Sequence, residues 1–207
     1  MDELIKQIES LKDGEMGNLI QKRIGEFKEL NKKPSDELFK ELCFCILTAN
    51  FNAEKSIKIQ NEIGECFLDN SEEDLAKKLK NLGHRYPNTR ATYISESRKC
   101  KESLKEVIQF NDKKKLREWI VNNIKGLGYK EASHFLRNIG FDDFAIIDFH
   151  IVDILVKHDL IKRPKTLTKN KYLEIENVLR TIGKKTNLTL AELDLYLWYM
   201  ETGKILK

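Results

Sequence analysis

The chain has 207 residues, of which 41% are hydrophobic and 34% are charged, with only 10 glycines and 3 prolines. This composition excludes intrinsic disorder and collagen-like repeats, and the length suits one large domain or two small lobes. The 37 basic and 33 acidic residues leave a formal net charge of +4, which permits a nucleic-acid partner without requiring one.

The pattern of apolar residues indicates neither a membrane protein nor a secreted one. No apolar run reaches the roughly 20 residues that a membrane-spanning helix needs, so no membrane association is expected. The N-terminal residues lack a basic segment followed by an apolar block, so no secretory signal is predicted. The four cysteines fit neither a disulfide framework nor a metal-binding pair. We therefore expect a cytoplasmic protein with reduced thiols.

Apolar residues recur three and four positions apart along almost the whole chain, and no segment alternates strictly over the length of a strand. This periodicity predicts an all-α protein. The helix after Pro34 is apolar nearly all round, which predicts a central position for it. In chain order, helices are predicted at residues 4–11, 19–30, 35–47, 57–67, 75–82, 91–108, 116–124, 131–139, 149–158, 172–182 and 191–200.

Two glycines one residue apart, Gly126 and Gly128, lie between the helices predicted at 116–124 and 131–139. Glycines at these positions let the backbone turn tightly and leave amide N–H groups exposed at the start of the next helix. Such donors suit a phosphate of the DNA backbone, a contact that carries no sequence information. A purely conformational role is the alternative, because many turns between helices carry glycines.

A second motif lies about one helix length downstream, and together with this turn it resembles a known protein family. The chain resembles the helix-hairpin-helix and the following loop and aspartate of base-excision DNA glycosylases in two stretches, Gly126-Leu127-Gly128-Tyr129-Lys130-Glu131-Ala132 and Ile146-Ile147-Asp148-Phe149-His150. The resemblance implies that Lys130 is the catalytic lysine and Asp148 the essential aspartate. The loop before Asp148 departs from the family pattern, because it lacks the usual proline.

Two upstream turns extend the resemblance to roughly residues 39–155. The turn at 47–52 is similar to the family turn whose amide side chain fills the gap left by an extruded base, which implies that role for Asn50. The segment 82–91 is similar to the glycine turn and basic helix start that follow. The resemblance thus implies a DNA-binding set of Asn50, Lys55, Arg85, Arg90, Gly126, Gly128 and His150.

The departures from related enzymes narrow the subfamily. Endonuclease III and the adenine-mismatch glycosylases usually carry four clustered cysteines for an iron–sulfur centre, and this chain has no cysteine beyond Cys100. The N-terminal region is too short for the β-sheet domain of the eukaryotic 8-oxoguanine enzyme. The chain is most similar to the archaeal and bacterial type-2 8-oxoguanine DNA glycosylase/AP lyases. In that family the C-terminal lysine is implicated in reading the damaged base, which implies this role for Lys207.

The implied reaction needs a carboxylate and an amine at C1′ of the deoxyribose. Asp148 would stabilise the positive charge that develops on the sugar, and Lys130 would capture C1′ as a Schiff base. A β-elimination from that Schiff base then breaks the strand. Asp148 is also suited to cap the helix predicted at 149–158, and both roles can hold at once.

Helical spacing suggests a pocket for the extruded base. His134 lies one turn after Lys130, and Asp194 and Trp198 lie four residues apart on the last helix. We predict that His134 and Trp198 stack on the base, and that Asp194 and the terminal carboxylate of Lys207 accept its N–H groups. The base 8-oxoguanine carries a donor at N7 where guanine carries an acceptor, so this carboxylate would discriminate between them. Ordinary core packing is the alternative for Trp198.

The prediction is therefore a helical glycosylase with two lobes and a DNA-binding cleft between them. Residues 39–144 form the lobe with the hairpin, and residues 1–38 with 145–207 form the other lobe. The expected partner is double-stranded DNA that contains a damaged base, and the expected state is a monomer. No cofactor and no catalytic metal is predicted, because the four histidines lack ligand spacing. The resemblance alone suggests a structural monovalent cation at the carbonyls of Asn122, Ile124 and Leu127.

The sequence is also compatible with two alternative functions. The same superfamily includes enzymes with a different base specificity, such as oxidised pyrimidines or alkylated purines. A catalytically silent helix-hairpin-helix module that only binds DNA is the alternative from another class.

Overall fold

The computed structural model describes all 207 residues and is 71% helical, with no strand. The all-α prediction is confirmed. The helices are, in chain order, α1 (Asp2–Lys12), α2 (Glu15–Asn31), α3 (Ser35–Thr48), α4 (Ala53–Ile63), α5 (Cys66–Asp69), α6 (Glu72–Asn81), α7 (Pro87–Ser97), α8 (Ser103–Val107), α9 (Lys113–Asn123), α10 (Tyr129–Asn138), α11 (Phe149–Lys157), α12 (Lys169–Thr186) and α13 (Leu190–Thr202).

Two of the predicted helices are each divided into shorter ones. The segment predicted at 57–67 contains most of α4 followed by α5, and the segment predicted at 91–108 contains most of α7, a 3-10 helix at Arg98–Cys100, and α8. Ile94, Leu104 and Val107 are nevertheless all buried. When consecutive short helices bury apolar residues against the same core, the spacing of three and four residues continues from one helix into the next. Periodicity alone therefore does not reveal the break between them.

The chain forms two compact units. The central unit comprises Leu30–Phe135, and the terminal unit comprises Met1–Glu29 together with Leu136–Lys207. Each border lies nine residues before the border predicted from the sequence. Both borders fall inside helices, within α2 and within α10, and a search for linkers in the sequence cannot find a border of that kind.

Helix α3 forms the core of the central unit, as its apolar sequence predicts. Every side chain from Leu38 to Leu47 is buried except that of Lys40. Helices α4, α5, α7 and α8 pack around it. The apolar side chains of this run are removed from water at a gain of about 25 cal/mol per Å², which contributes to the stability of the central unit.

The terminal unit is built from α1, α2, α11, α12 and α13, and α12 and α13 both pack against α1. Helix α13 begins with a capping box in which Thr189 and Glu192 each satisfy a main-chain amide of the other. Gly140, with φ of +88°, lies so close to α2 that an added Cβ would come within 2.9 Å of the Cα of Lys28. None of the helices is long and apolar enough to span a bilayer.

Candidate active site

The hairpin of the central unit joins α9 to α10 through residues 124–128. Gly126 has a φ of +87°, and a Cβ at this position would lie 2.3 Å from the ring of Tyr93. Glycine is therefore needed at Gly126 both for the left-handed backbone and for the close approach of the ring. The tight turn expected from the two glycines is present.

Lys130 is the second residue of α10, and its side chain is 32% exposed. Its Nζ lies 3.0 Å from Oε1 of Glu131, while Oε2 of the same carboxylate accepts the Gly128 N–H at 3.3 Å. Glu131 is the third residue of the helix, where a glutamate side chain commonly caps the amide that precedes the helix. One of the hairpin amides expected to be open is thus bonded to a carboxylate.

The turn that carries Asn50 is held by a buried arginine. Asn50 is exposed and has a φ of +55°, a left-handed conformation that asparagine tolerates better than most residues. Arg90 Nη2 donates to the carbonyl oxygen of Ala49 at 2.5 Å, and the residue is only 6% exposed. Burial lowers the pKa of the Arg90 guanidinium. Arg90 was expected to contact DNA, but the structure places it beneath the turn.

A neutral histidine supports the same turn. Nδ1 of His84 accepts the Tyr86 N–H at 3.1 Å, which assigns the ring proton to Nε2. This Nε2 donates to the carbonyl oxygen of Leu47 at 3.1 Å, and the ring packs on Phe51 at 4.2 Å between centroids. Burial lowers the pKa of His84, so the ring stays neutral near pH 7.

Two other cations predicted to contact DNA are exposed. The side chain of Lys55 faces solvent on the first turn of α4, where its main-chain N–H is capped by Oδ1 of Asn52 at 3.0 Å. Arg85 is exposed as well, with its guanidinium 5.1 Å from the centroid of the Tyr86 ring. Both side chains are available to a phosphate backbone.

His134 was predicted to stack on the extruded base. Its ring lies edge-on to Phe44, with 5.6 Å between centroids and an interplanar angle of 76°. Phe44 is fully buried in α3, so His134 packs against the core of the central unit on at least one side. The residue is itself only partly buried, and its stacking role stays a prediction.

In the terminal unit, Asp148 is the N-cap of α11, as the sequence indicates. Its Oδ1 accepts the N–H of Ile151 at 3.0 Å. A cap of this kind contributes about 1 kcal/mol to helix stability. The capping bond also sets the direction of the carboxylate, because Oδ1 has to reach an amide of the first helical turn.

Side chains of α12 hold the loop that precedes Asp148. The Tyr172 hydroxyl donates to the carbonyl oxygen of Ala145 at 2.7 Å and accepts the Ile147 N–H at 3.1 Å. Glu176, which is buried, accepts the Ala145 N–H at 3.1 Å. These bonds fix a backbone that lacks the proline usual in the family, so another device orients Asp148 here.

Asp194, which was predicted to accept an N–H group of the extruded base, is instead bound to another residue of the protein. Its carboxylate is hydrogen-bonded to Nη1 of Arg137, and both residues are buried. Arg137 also donates from Nε and Nη2 to Oδ1 of Asn138, at 3.0 and 2.8 Å, and lies 5.1 Å from the centroid of the Phe27 ring. Burial raises the pKa of Asp194 to about 6, with a further rise from the Asp148 carboxylate and an opposing effect of Arg137.

Trp198 and His150 form an edge-on ring pair at 5.1 Å, with an interplanar angle of 88°. Nε1 of Trp198 is buried and has no hydrogen-bond partner, while Nδ1 of His150 lies 3.8 Å from Oε1 of Glu201. Helix α13 ends at Thr202 and is capped by Gly203 in the left-handed region, with φ of +69°, and the last residue, Lys207, is partly buried. The assignments of Trp198, His150 and Lys207 stay predictions.

No group of three or more His, Cys, Asp or Glu side chains is placed to hold a metal ion. The carbonyls of Asn122, Ile124 and Leu127 are neutral oxygen donors, the kind that a monovalent cation takes. The Ile124 carbonyl also accepts the Leu127 N–H at 3.3 Å, which leaves its second lone pair for an ion. The donor set therefore fits such a cation in kind, and the site remains a prediction.

Four residues with evident roles were not identified from the sequence: Glu131, Arg137, Tyr172 and Glu176. The sequence does carry a signal for Glu131, because a glutamate at the third position of a helix commonly forms a capping interaction. The other three left no such signal. Their partners, Asp194, Ala145 and Ile147, are from 25 to 57 residues away in the chain.

Comparisons with known proteins match the chain along nearly its whole length. The family model described as 8-oxoguanine DNA glycosylase matches residues 20–188. The 8-oxoguanine DNA glycosylase/AP lyase of Methanocaldococcus jannaschii is 57% identical over 206 residues, which cover 99% of each chain. The protein of the same name from Korarchaeum cryptofilum is 50% identical and covers 100% of this chain and 99% of its own.

The backbone is similar to that of a solved structure. The crystal structure of the Methanocaldococcus jannaschii 8-oxoguanine glycosylase/lyase in complex with a 15mer DNA containing 8-oxoguanine matches with a TM-score of 0.96. The match has 57% sequence identity and covers 99% of both chains. It therefore includes the hairpin with Lys130 and the loop with Asp148.

Proposed function

The chain belongs to the 8-oxoguanine DNA glycosylase family, and from this membership we infer that it excises 8-oxoguanine from DNA as a glycosylase with AP lyase activity. The observation that carries this conclusion is the identity of 57%, over 99% of both chains, with a relative of that name. The names of the relatives do not favour oxidised pyrimidines, alkylated purines or a silent binding module.

We assign the nucleophile to Lys130. Its amine is partly exposed at the start of the helix that follows the hairpin, where a DNA backbone bound by the hairpin would bring a sugar within reach. The neutral amine forms a bond from Nζ to C1′ while the bond from C1′ to the base breaks and its electron pair leaves with the base. Loss of a proton and opening of the sugar ring give the Schiff base, from which elimination of the 3′ phosphate breaks the strand.

We assign the charge-stabilising carboxylate to Asp148. One oxygen, Oδ1, is engaged by the cap of α11, and the other, Oδ2, is assigned to the positive charge that develops on the sugar. The bonds from Tyr172 and Glu176 to the preceding loop support this assignment, because they fix the carboxylate before substrate arrives. Such preorganisation avoids reorganisation at the moment of reaction.

The remaining assignments retain the predicted residues that are exposed or only partly buried. We assign phosphate contacts to Gly126, Gly128, Lys55 and Arg85, gap filling to Asn50, and base recognition to His134, Trp198, His150 and Lys207. Arg90 and Asp194 are reassigned to supporting roles, because Arg90 holds the Asn50 turn and Asp194 binds Arg137. Double-stranded DNA with a damaged base remains the partner, and a monomer acting in the cytoplasm remains the expected state.

The test is borohydride trapping on a panel of duplexes. Each 25-mer carries one lesion, either 8-oxoguanine, an oxidised pyrimidine or an alkylated purine, and an undamaged duplex is the control. We expect a covalent complex and strand cleavage with 8-oxoguanine at least tenfold above the other lesions. A stronger complex with an oxidised pyrimidine would replace the substrate, and no complex with any lesion would leave only DNA binding.

A further inference from the structure

We propose that Glu131 is a positioning residue that holds the Lys130 amine against the hairpin in the DNA-free enzyme and releases it when a DNA phosphate takes the Gly128 amide. The proposal rests on the proposed function, in which Lys130 is the nucleophile. It concerns what the amine does before the sugar arrives.

The carboxylate of Glu131 divides its two oxygens between the nucleophile and the hairpin. Oε1 lies 3.0 Å from Nζ of Lys130, and Oε2 accepts the Gly128 N–H at 3.3 Å. The Glu131 side chain is only 13% exposed, and the Arg90 guanidinium also attracts its charge. One side chain thus connects the lysine to the amide assigned to a phosphate.

Capping alone does not account for this arrangement. A glutamate at the third helical position needs only its contact with the preceding amide, which Oε2 makes. Lys130 and Glu131 are neighbours in the chain, and neighbours on a helix point in directions about 100° apart. Their contact therefore requires both side chains to bend towards the same end of α10, which places the amine beside the hairpin.

The arrangement makes the phosphate and the carboxylate competitors. A phosphate that accepts the Gly128 N–H lies where Oε2 does and repels the Glu131 carboxylate, so it displaces Oε2. Lys130 is then free to leave Oε1. While it is ion-paired, the ammonium has no lone pair for attack. The bond to C1′ requires the amine lone pair, so release from Oε1 has to precede attack.

The hairpin offers a matched control. Lys125 Nζ lies 3.0 Å from Oε1 of Glu96, the same separation as in the Lys130 pair. These side chains are 56% and 42% exposed, and the contact of Glu96 is with the lysine and not with Gly128. Glu96→Gln removes one negative charge near the hairpin without touching the device that we propose.

The first experiment measures lysine reactivity in the DNA-free protein. Wild type, Glu131→Gln and Glu96→Gln are acetylated with N-hydroxysuccinimidyl acetate, and the rates at Lys130 and Lys125 are read by peptide mass spectrometry. We expect Glu131→Gln to raise the rate at Lys130 about twofold to fivefold, the range for partly exposed ion pairs, and Glu96→Gln to raise only that at Lys125. An unchanged rate at Lys130 in Glu131→Gln overturns the proposal.

The second experiment measures competition for the Gly128 amide. The Kd for an undamaged duplex is compared among the same three proteins at fixed salt. We expect Glu131→Gln to tighten binding by about threefold or more beyond Glu96→Gln, because a neutral side chain competes less with phosphate. Equal tightening in both variants reduces the effect to net charge and overturns the release step.

A further variant separates capping from the ion pair. Glu131→Met keeps the side-chain length but accepts no hydrogen bond, so Lys130 should react as fast as in Glu131→Gln while the melting temperature falls further. A slow Lys130 in a folded Glu131→Met protein contradicts the proposal. If Lys130→Gln still traps damaged DNA, the nucleophile is misassigned and the proposed mechanism fails, whatever the acetylation rates show.

Discussion

The hairpin region of the central unit and the Asp148 region of the terminal unit hold their reactive groups in opposite ways. Lys130 carries its amine on a flexible four-carbon stem, and the amine makes a partly exposed ion pair with the adjacent residue. Asp148 is capped onto α11, and its loop is fastened to α12 by Tyr172 and Glu176. A nucleophile has to travel to C1′, whereas a charge-stabilising carboxylate works best when it does not move.

The residues around Asp148 are also more buried and more extensively hydrogen-bonded than those around Lys130. Behind Asp148 the structure buries a charged pair, Arg137 with Asp194, and satisfies the guanidinium from several sides. Buried networks of this kind are rigid, because each broken bond leaves a polar group unpaired. In the hairpin region the ion pairs are near the surface and contribute up to about 1 kcal/mol each. The comparison predicts that loss of an ion pair in the hairpin region changes stability by no more than about 1 kcal/mol, and that a broken bond in the buried surroundings of Asp148 costs more.

The largest effect is expected from Lys130→Gln. The substitution removes the nucleophile but keeps a polar side chain of similar length, so excision through a Schiff base and borohydride trapping should be abolished while duplex binding persists. The control is Lys125→Gln, which changes the other lysine of the hairpin and should trap normally. Trapping by the Lys130 variant and not by the Lys125 variant would reverse the assignment.

Asp148→Asn should slow base excision by several powers of ten, because the neutral amide no longer stabilises the charge that develops on the sugar. Asparagine also caps helices, so the melting temperature should change little. Single-turnover excision of 8-oxoguanine and a thermal melt are measured on the same preparation. A normal rate would leave Asp148 with the capping role only.

The buried pair of Arg137 and Asp194 contributes a pH dependence to stability. The pKa of Asp194 is about 6 in the folded protein and 3.8 ordinarily, so the folded state binds a proton that the unfolded chain has released. The stability from this proton is fully present below pH 3.8 and is lost as the pH rises through 6, by roughly 3 kcal/mol. Urea unfolding between pH 4 and 7 should show this fall in wild type and not in Asp194→Asn.

The matched control for that series is Asp153→Asn. It breaks the exposed pair of Asp153 with Arg163 in the same unit. If Asp194→Asn and Asp153→Asn show the same slope of unfolding free energy against pH as wild type, the burial of Asp194 has no energetic consequence. Comparison of slopes is the useful measure, because every variant retains the other carboxylates.

A smaller effect is expected from Tyr172→Phe. The substitution leaves the buried Ala145 carbonyl and Ile147 amide without partners, at a cost of about 1 to 3 kcal/mol. Because the loop carries Asp148, we also expect slower excision with unchanged duplex binding. The control is Tyr199→Phe, which removes a hydroxyl outside the loop. A drop in stability with a normal excision rate would show that the loop tolerates movement.

Much of this protein follows from local sequence. The spacing of apolar residues at three and four positions predicts the helices, and two closely spaced glycines predict the hairpin. The cap at Asp148 follows from the type of residue that precedes the helix. Lys130 and Asp148 were identified because short motifs carry a family resemblance. Each of these signals involves residues within about ten positions of one another, where backbone geometry alone relates them.

Only the tertiary structure decided which charged residues are buried and what they hold. Arg90 and Asp194 have side chains that the sequence assigned to DNA and to the base, but they bind Ala49 and Arg137 instead. The two unit borders fall inside α2 and α10, where no feature of the sequence changes. These outcomes depend on the packing of segments distant in the chain, because burying a charge is tolerated only where folding brings a partner to it.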